Sequence, residues 1–206
     1  MTAFSLDRNQ LRLEMRAKRR CVTAAQARTS ARNLTRELSR HHLLQPHRRV
    51  GVYLRQGSEL DLSIAITWAR RRGCDLYLPA VTHANSARMA FVSFASGAKL
   101  RRNRFGILEP DPAVAKRIPV RRLDFILLPL LAVDARGWRL GSGAGFYDRY
   151  LHHLRPGRRW RRPRLIGAAY EFQRIPHLEP SAWDVPLDAL VTDRGFHAFS
   201  RSAGAI

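Results

Sequence analysis

The sequence predicts an α/β fold built around a central, mostly parallel sheet. Three observations indicate it: helical and strand periodicities alternate along the chain, one strand segment is apolar almost throughout, and a glycine-rich stretch follows that segment. With 206 residues the chain has room for one sizeable α/β domain and too little for two. We therefore expect a single domain over residues 1–206.

The N-terminal part, residues 5–43, has the spacing of amphipathic helices and a strongly basic face. A break is expected near Val22 and Thr23, where the letters TAAQ are typical of a helix start. Acidic residues at Asp7 and Glu14 argue against a transit peptide. This basic helical segment is therefore expected to pack on the domain.

Six segments have strand character: residues 49–54, 75–81, 89–94, 124–134, 164–170 and 188–193. A helix over residues 60–73 connects the first two and gives a right-handed βαβ unit. The apolar segment 124–134 is typical of a central strand covered on both faces, with Pro129 near its exit. The sequence thus predicts a sheet of about six strands, with residues 102–110 as a loop.

The charge of the chain is unusual, because 37 Lys and Arg stand against 16 Asp and Glu for a formal net charge of +21. Such a field attracts polyanions, whether nucleic acid, nucleotides or acidic metabolites. The segment 155–164, RPGRRWRRPR, is expected to be exposed, and it places Trp160 among arginines as stacking surfaces for RNA do. A basic RNA- or ribosome-associated protein is therefore an alternative, although no RNP or KH motif accompanies it.

Cys21 and Cys74 lie far apart, without zinc-ligand spacing, which favours two reduced cysteines in a cytoplasmic protein. The longest apolar run is short and interrupted by Pro129, so no membrane span is expected.

The stretch RLGSGAGFYDRYL, residues 139–151, has glycines at 141, 143 and 145 between the apolar strand and a helix predicted over 146–154. Backbone N–H groups there can approach an anion without interference from Cβ atoms. The spacing G-x-G-x-G differs from the Rossmann and P-loop patterns, so a phosphate cradle and a flexible turn both remain open. Asp148 could hold a magnesium ion beside phosphates or simply favour the start of the helix.

Longer blocks of sequence resemble the 5-formyltetrahydrofolate cyclo-ligase family, also called methenyltetrahydrofolate synthetase. These blocks are LDFILLPLLAVDARGWRLGSGAGFYDRYL, WDVPLDALVTDRG, VGVYLRQGSELDL and the basic N-terminal helix. The resemblance implies a three-layer α/β/α sandwich. It also implies conversion of 5-formyltetrahydrofolate, with or without a polyglutamate tail, to 5,10-methenyltetrahydrofolate, with ATP as co-substrate, Mg²⁺ as cofactor, and ADP and phosphate as products.

Carried over position by position, the resemblance implies roles for four sets of residues. Those expected around ATP are Arg8, Arg12, Arg139, Gly141, Ser142, Gly143, Ala144, Gly145, Phe146 and Tyr147. Those expected to bind the folate are Leu54, Glu59 and Phe146, where the Glu59 carboxylate suits the amino-pyrimidinone edge of a pterin. Asp148 and Asp184 are expected at the metal, and Arg139 and Tyr147 are expected to be catalytic.

Structural alternatives remain open for several of these residues. Arg8 and Arg12 could belong to a solvated helix face, Asp184 could be a turn residue, and Phe146 could only staple its helix to the core. Many relatives carry Arg and Lys where this chain has Ser142 and Ala144. A folate-binding relative without catalysis is therefore a further alternative.

Overall fold

The computed structural model describes residues 7–83, 86–103, 105–111, 113–143, 145–152 and 163–199. Ala144 and residues 155–162 of the basic segment lie outside the described residues. The described helices are α1 Arg8–Arg20, α2 Ala24–Arg40, α3 Ser63–Arg71 and α4 Phe146–Leu151. The described strands are β1 Arg49–Gly51, β2 Asp75–His83, β3 Ser86–Ser93, β4 Leu100–Arg102, β5 Leu108–Pro110, β6 Arg117–Ile118, β7 Phe125–Pro129, β8 Ala132–Val133, β9 Arg139–Leu140, β10 Arg164–Ala168, β11 Ala189–Val191 and β12 Phe196–Ala198.

The two N-terminal helices are separated where the sequence predicts a break. The Thr23 hydroxyl accepts a hydrogen bond from the backbone N–H of Gln26, and the Gln26 side chain accepts one from the backbone N–H of Thr23. Asp7 caps α1 by accepting from the backbone N–H of Asn9. Each helix therefore begins where a side-chain oxygen satisfies a backbone N–H that lacks a helical partner.

The central sheet has eight strands among the described residues, in the order β12-β11-β10-β7-β1-β2-β3-β6. The five inner strands, from β11 to β2, are parallel to one another. The outer strands β12, β3 and β6 each run antiparallel to the strand beside them. The prediction of a mostly parallel sheet is confirmed.

All six predicted strand segments are present, and β6 and β12 are additional edge strands. These two strands contain only two and three residues, partly or fully exposed, so no apolar periodicity marks them. The segment 124–134 divides in two: β7 ends at Pro129, as predicted, because proline has no N–H for the sheet ladder. Strand β8 then pairs with β9, and the predicted loop 102–110 contains β5 paired with β4.

Strand β7 shows how the layers form, because its successive side chains pack on opposite faces of the sheet. Phe125 and Leu127 belong to the core cluster that includes α2 and α3, whereas Ile126 and Leu128 belong to the cluster that includes Leu151 of α4. These four strand residues are at most 2% exposed. Burying each such side chain contributes about 1.5–3 kcal/mol, and helices cover both faces as the predicted three-layer α/β/α sandwich requires.

Within the described ranges, no helix is both long and apolar enough to cross a bilayer. Cys21 is exposed, Cys74 is buried, and both are free thiols.

Candidate active site

The glycine block lies between strand β9 and helix α4, at the carboxyl end of a strand as predicted. Its backbone needs glycine at two positions, because Gly143 has φ +111° and Gly145 has φ +64°. The preceding strand is not the apolar β7, however, but β9 of the small two-stranded sheet. The block therefore reaches the site through the β8–β9 hairpin.

An inner cavity of about 280 Å³ lies on one side of the block. Its wall combines the ends of β2 and β7, the loop after β1, the β4–β5 segment and α4. The predicted residues on this wall are Leu54, Glu59, Arg139, Gly141, Ser142, Gly145, Phe146, Tyr147 and Asp148.

An outer cavity of about 320 Å³ lies on the other side of the block. It is lined by Arg8, Arg12, Gly141, Gly143, Gly145, Asp148, Arg149, Ser181, Trp183 and Asp184. Three arginines, three glycines and two carboxylates make this wall polar, as a phosphate-binding surface would be.

The two cavities share Gly141, Gly145 and Asp148. The residues predicted around ATP are accordingly divided between them. Arg8, Arg12 and Gly143 line the outer cavity, whereas Arg139, Ser142, Phe146 and Tyr147 line the inner one, and Ala144 lies outside the described residues. The shared wall allows two ligands to meet across the glycine block.

Helix α1 presents arginines to the block from one side, because positions 8, 12, 16 and 19 are spaced by whole helical turns. Arg12 Nε donates to the carbonyl oxygen of Gly141 at 3.2 Å, and Arg16 Nη2 donates to that of Ser142 at 2.8 Å. These two hydrogen bonds hold the backbone of the glycine block against helix α1, and the arginines bring positive charge to that side of the block.

The inner cavity holds a carboxylate in apolar surroundings. Burial raises the pKa of Glu59, although the backbone N–H of Gln56, which donates to Glu59 Oε2 at 3.0 Å, and the positive charge of Arg19 partly oppose that rise. Beside it, Tyr53 is 3% exposed and donates its hydroxyl to the carbonyl oxygen of Leu60 at 2.8 Å. Such a carboxylate is suited to accept hydrogen bonds from the N–H groups of a flat ligand.

Tyr147 contributes an uncharged phenol to the same cavity. Burial raises the pKa of Tyr147 well above its usual value, and the negative charge of Glu59 adds to the rise. The hydroxyl therefore remains protonated at neutral pH and can act as a hydrogen-bond donor.

The two predicted metal residues both line the outer cavity, and each carboxylate contacts an arginine. Asp148 Oδ1 accepts from Arg139 Nη2 at 2.6 Å, and Asp184 Oδ2 accepts from Arg8 Nη1 at 2.8 Å. No cluster of three metal-ligating side chains occurs in the described part of the chain. Mg²⁺ usually takes one or two carboxylates and completes its shell with phosphate oxygens and water, so this donor set fits magnesium that arrives with a nucleotide.

Several lining residues were not predicted from the sequence, among them Arg19, Tyr53, Glu109 and Trp183. For Arg19 a signal existed, since it lies on the same side of α1 as the predicted arginines. For Glu109 none existed: it is 2% exposed in the segment predicted as a loop, and it accepts from the backbone N–H of Val81 at 2.8 Å.

The fold and the paired cavities define an α/β protein with a two-compartment ligand site. The sequence model of the 5-formyltetrahydrofolate cyclo-ligase family matches residues 5–193. This chain belongs to that family and is an enzyme of the cyclo-ligase class.

Individual relatives agree with this assignment over most of the chain. The 5-formyltetrahydrofolate cyclo-ligase of Haemophilus influenzae is 30% identical over 89% of this chain and 97% of its own length. That of Escherichia coli K12 is 33% identical over 86% of this chain and 96% of its own length. The NMR structure of Aquifex aeolicus 5,10-methenyltetrahydrofolate synthetase superimposes with a TM-score of 0.79 at 27% identity, covering 97% of this chain and 96% of that one.

Proposed function

We propose that this chain converts 5-formyltetrahydrofolate to 5,10-methenyltetrahydrofolate in the cytoplasm, using ATP and Mg²⁺ and releasing ADP and phosphate. The observation that carries the proposal is the wall of Gly141, Gly145 and Asp148 shared by a mostly apolar inner cavity and a polar outer cavity. Two substrates placed on either side of that wall are close enough to exchange a phosphoryl group. Family membership supports a folate as one of them.

The folate is assigned to the inner cavity. Leu54 and Phe146 supply apolar surface for a flat ring, and the buried Glu59 supplies acceptors for the amino and ring N–H groups of a pterin. Phe146 is also held in place, since its ring packs edge-to-face on Phe105 with centroids 5.1 Å apart.

The ATP phosphates are assigned to the outer cavity. Arg8 and Arg12 bring positive charge from α1, and the glycines at 141, 143 and 145 leave room for phosphate oxygens against the backbone. Ser142 is neutral where many relatives have a cation. Arg16, whose guanidinium lies 2.8 Å from the Ser142 carbonyl oxygen, supplies a cation there from the helix instead.

Asp148 and Asp184 would hold the magnesium ion, which supplies divalent charge that neutralises the phosphate oxygens during transfer. Both carboxylates are already on the outer wall. Arg8, the partner of Asp184, is then available to contact phosphate oxygens in the outer cavity. Arg139, the partner of Asp148, lines the inner cavity, so it would contact the γ-phosphoryl group from the folate side of the shared wall.

The chemistry requires positioning more than a protein nucleophile. The oxygen of an N-formyl group is a poor leaving group, so it first accepts the γ-phosphoryl group of ATP and ADP is formed. The second folate nitrogen then attacks the activated carbon and loses its proton, and the C–O bond breaks to release phosphate. Arg139 and Tyr147 both line the inner cavity. In this proposal Arg139 stabilises charge on the transferred group, and the protonated Tyr147 donates a hydrogen bond to an oxygen of the reacting ligand.

The test follows the absorbance of the methenyl product after the purified protein is mixed with 5-formyltetrahydrofolate, MgCl₂ and ATP. Product that requires all three components is the expected result. Folate binding without product would contradict the proposed turnover and indicate a noncatalytic relative. Neither product nor folate binding, together with tight, salt-sensitive RNA binding, would favour the RNA-associated alternative.

A further inference from the structure

Arg19 is a buried cation that the proposed chemistry does not use. It lies in the last turn of α1 and is 9% exposed. Its side chain reaches the wall of the inner cavity, where Tyr53 and Glu59 also lie.

The hydrogen bonding of this guanidinium is incomplete. Nη1 donates to the carbonyl oxygen of Leu130 across a long 3.4 Å, and that oxygen already accepts from Gln173 Nε2 at 2.7 Å. Arg19 Nε is buried without any partner. Leaving donors of a buried cation unpaired costs free energy, so a ligand that brings acceptors to this place recovers that cost.

Glu59 is the carboxylate whose negative charge acts on Arg19, but the two residues make no ion pair in the described structure. The other two carboxylates of this cavity, Glu109 and Asp148, already have partners of their own. Burial lowers the pKa of Arg19, and the negative charge of Glu59 acts in the opposite sense. The cavity therefore presents a carboxylate and a guanidinium separately to whatever fills it. A ligand with adjacent donors and acceptors on one edge matches that arrangement.

We propose that Arg19 is a specificity-determining residue that donates hydrogen bonds to the 4-oxo oxygen of the pterin ring. This inference rests on the proposed function, because it takes the folate as the ligand of the inner cavity. In a pterin the 4-oxo acceptor is next to the ring N3–H, whose hydrogen and the neighbouring 2-amino group suit Glu59. Glu59 then accepts hydrogen bonds from the donors of this ring edge, and Arg19 donates to its acceptor.

The proposed contact of Arg19 with the 4-oxo oxygen also lies near the formyl group that reacts. The 5-formyl substituent is on the ring nitrogen beside the C4 carbonyl, so its oxygen can lie close to the 4-oxo oxygen. The guanidinium has five N–H donors, and the unpartnered Nε–H adds a donor beside the terminal nitrogens. Arg19 thereby holds the pterin edge that carries the formyl group at a fixed depth in the cavity.

The experiment compares folic acid with 4-amino-4-deoxyfolic acid, which has an amino group at C4 and no hydrogen on N3. Their dissociation constants are measured by titration calorimetry without ATP, for wild-type protein, Arg19→Met and Arg19→Lys. Each variant is compared with wild type for the same ligand, so the change at N3 affects wild type and variant alike. Arg20→Met is the matched control, because Arg20 is adjacent on α1 but exposed and absent from both cavities.

Arg19→Met is expected to weaken folic acid binding by about 10- to 100-fold, since a hydrogen bond to a charged group is lost. The 4-amino analogue offers no acceptor at C4, so its binding is expected to change less than about 3-fold. Arg19→Lys, which keeps one cationic donor group, is expected to fall between wild type and Arg19→Met for folic acid. In turnover, Arg19→Met should raise KM for 5-formyltetrahydrofolate and leave KM for ATP unchanged.

Equal weakening of both ligands by Arg19→Met, or of neither, would overturn the role at C4 while wild-type folate binding kept the proposed function intact. Wild-type protein that bound no folate at all would overturn both. Thermal unfolding distinguishes a structural role of Arg19 from a role in ligand binding, because loss of a structural residue lowers the melting temperature of the ligand-free protein. Arg19→Met is expected to leave that temperature unchanged or raise it, since it removes a poorly paired buried charge.

Discussion

The guanidinium of Arg139 donates to the carboxylate of Asp148 at 2.6 Å, in an ion pair whose cation is 2% exposed. Arg139 precedes the glycine block and Asp148 follows it, so the pair joins the two ends of the chain segment that carries Gly141, Gly143 and Gly145. Because Asp148 also lines both cavities, one contact links the shape of the loop to the proposed metal site.

Asp148 is expected to contribute both to magnesium-dependent turnover and to stability, and a single and a double substitution together separate the two contributions. Asp148→Ala is expected to abolish magnesium-dependent turnover and to lower the free energy of unfolding by about 3 kcal/mol, because it leaves the buried Arg139 charge unpaired. Turnover is measured by methenyl absorbance and stability by urea unfolding. The double variant Arg139→Met/Asp148→Met should regain much of the stability and none of the turnover. Asp148→Ala protein with wild-type magnesium dependence would exclude the metal role.

Arg8 tests the assignment of the outer cavity. Its Nη1 donates both to Asp184 Oδ2 and to the carbonyl oxygen of Glu179, each at 2.8 Å. Since one nitrogen makes both contacts, Arg8→Lys can reproduce them and is expected to keep KM for ATP within about 3-fold. Arg8→Met is expected to raise that KM by about tenfold or more. Initial rates at varied ATP give both values, and equal effects of the two substitutions would argue against a charge contact with ATP.

Glu59 gives a prediction about pH. Burial raises the pKa of Glu59 above its usual value of 4.5, so the folded protein holds the proton more tightly than the unfolded chain. Stability therefore falls as pH rises from about 4.5 through the raised pKa, and the full cost of the buried charge is present above that pKa.

Glu59→Gln removes that cost and keeps an acceptor for the Gln56 N–H. At pH 7 the variant is expected to unfold at a higher temperature than wild type, with the difference vanishing below pH 4.5. KM for 5-formyltetrahydrofolate should rise by about 10- to 100-fold, because the charged acceptor is lost. Melting curves from pH 4 to pH 8 and initial rates test the two parts; a variant less stable than wild type at pH 7 would contradict the first.

Two glycines of the block are expected to respond differently to alanine. A Cβ on Gly141 would make only ordinary contacts, 3.6 Å from Arg139 Nη1 and 3.9 Å from Asp148 Oδ2. Gly141→Ala should therefore fold normally but raise KM for ATP, since the methyl group enters the shared wall. Gly145 has φ +64°, so Gly145→Ala is expected to lose about 1 kcal/mol of stability. Thermal melts and ATP titrations of the two variants provide the comparison, and equal melting temperatures would contradict it.

The fold was largely predictable because its inner strands are buried on both faces. Segments such as β7 and β10 read as apolar runs, and the capping box at Thr23 marks the start of α2. The edge strands β6 and β12 were not predictable, since two or three partly exposed residues carry no periodic signal. The β4–β5 pair was likewise hidden in a stretch whose polar and glycine residues are typical of loops.

For the site, the functional residues were easier to predict than the contacts between them. The glycine block and the WDVP segment can each be recognised from a few consecutive residues, but the sequence does not show that Asp148 and Asp184 line the same cavity. The division of the block between two cavities, with Tyr147 on the inner one, depends on how α4 packs against β3 and the central sheet.

The sequence by itself determined the α/β class, the parallel core, the family and the residues of the glycine block, because apolar periodicity, turn chemistry and motif spacing are local properties. Only the tertiary structure decided which charges meet. Arg19 reaches the inner cavity, Arg139 pairs with Asp148, and Arg8 pairs with Asp184. The contacts of Arg8 and Arg19 arise when helix α1 docks on segments more than a hundred residues away, whereas Arg139 and Asp148 are nine residues apart and meet across the glycine block. In both cases the electrostatic and hydrogen-bonding energies depend on the distances and burial that packing creates.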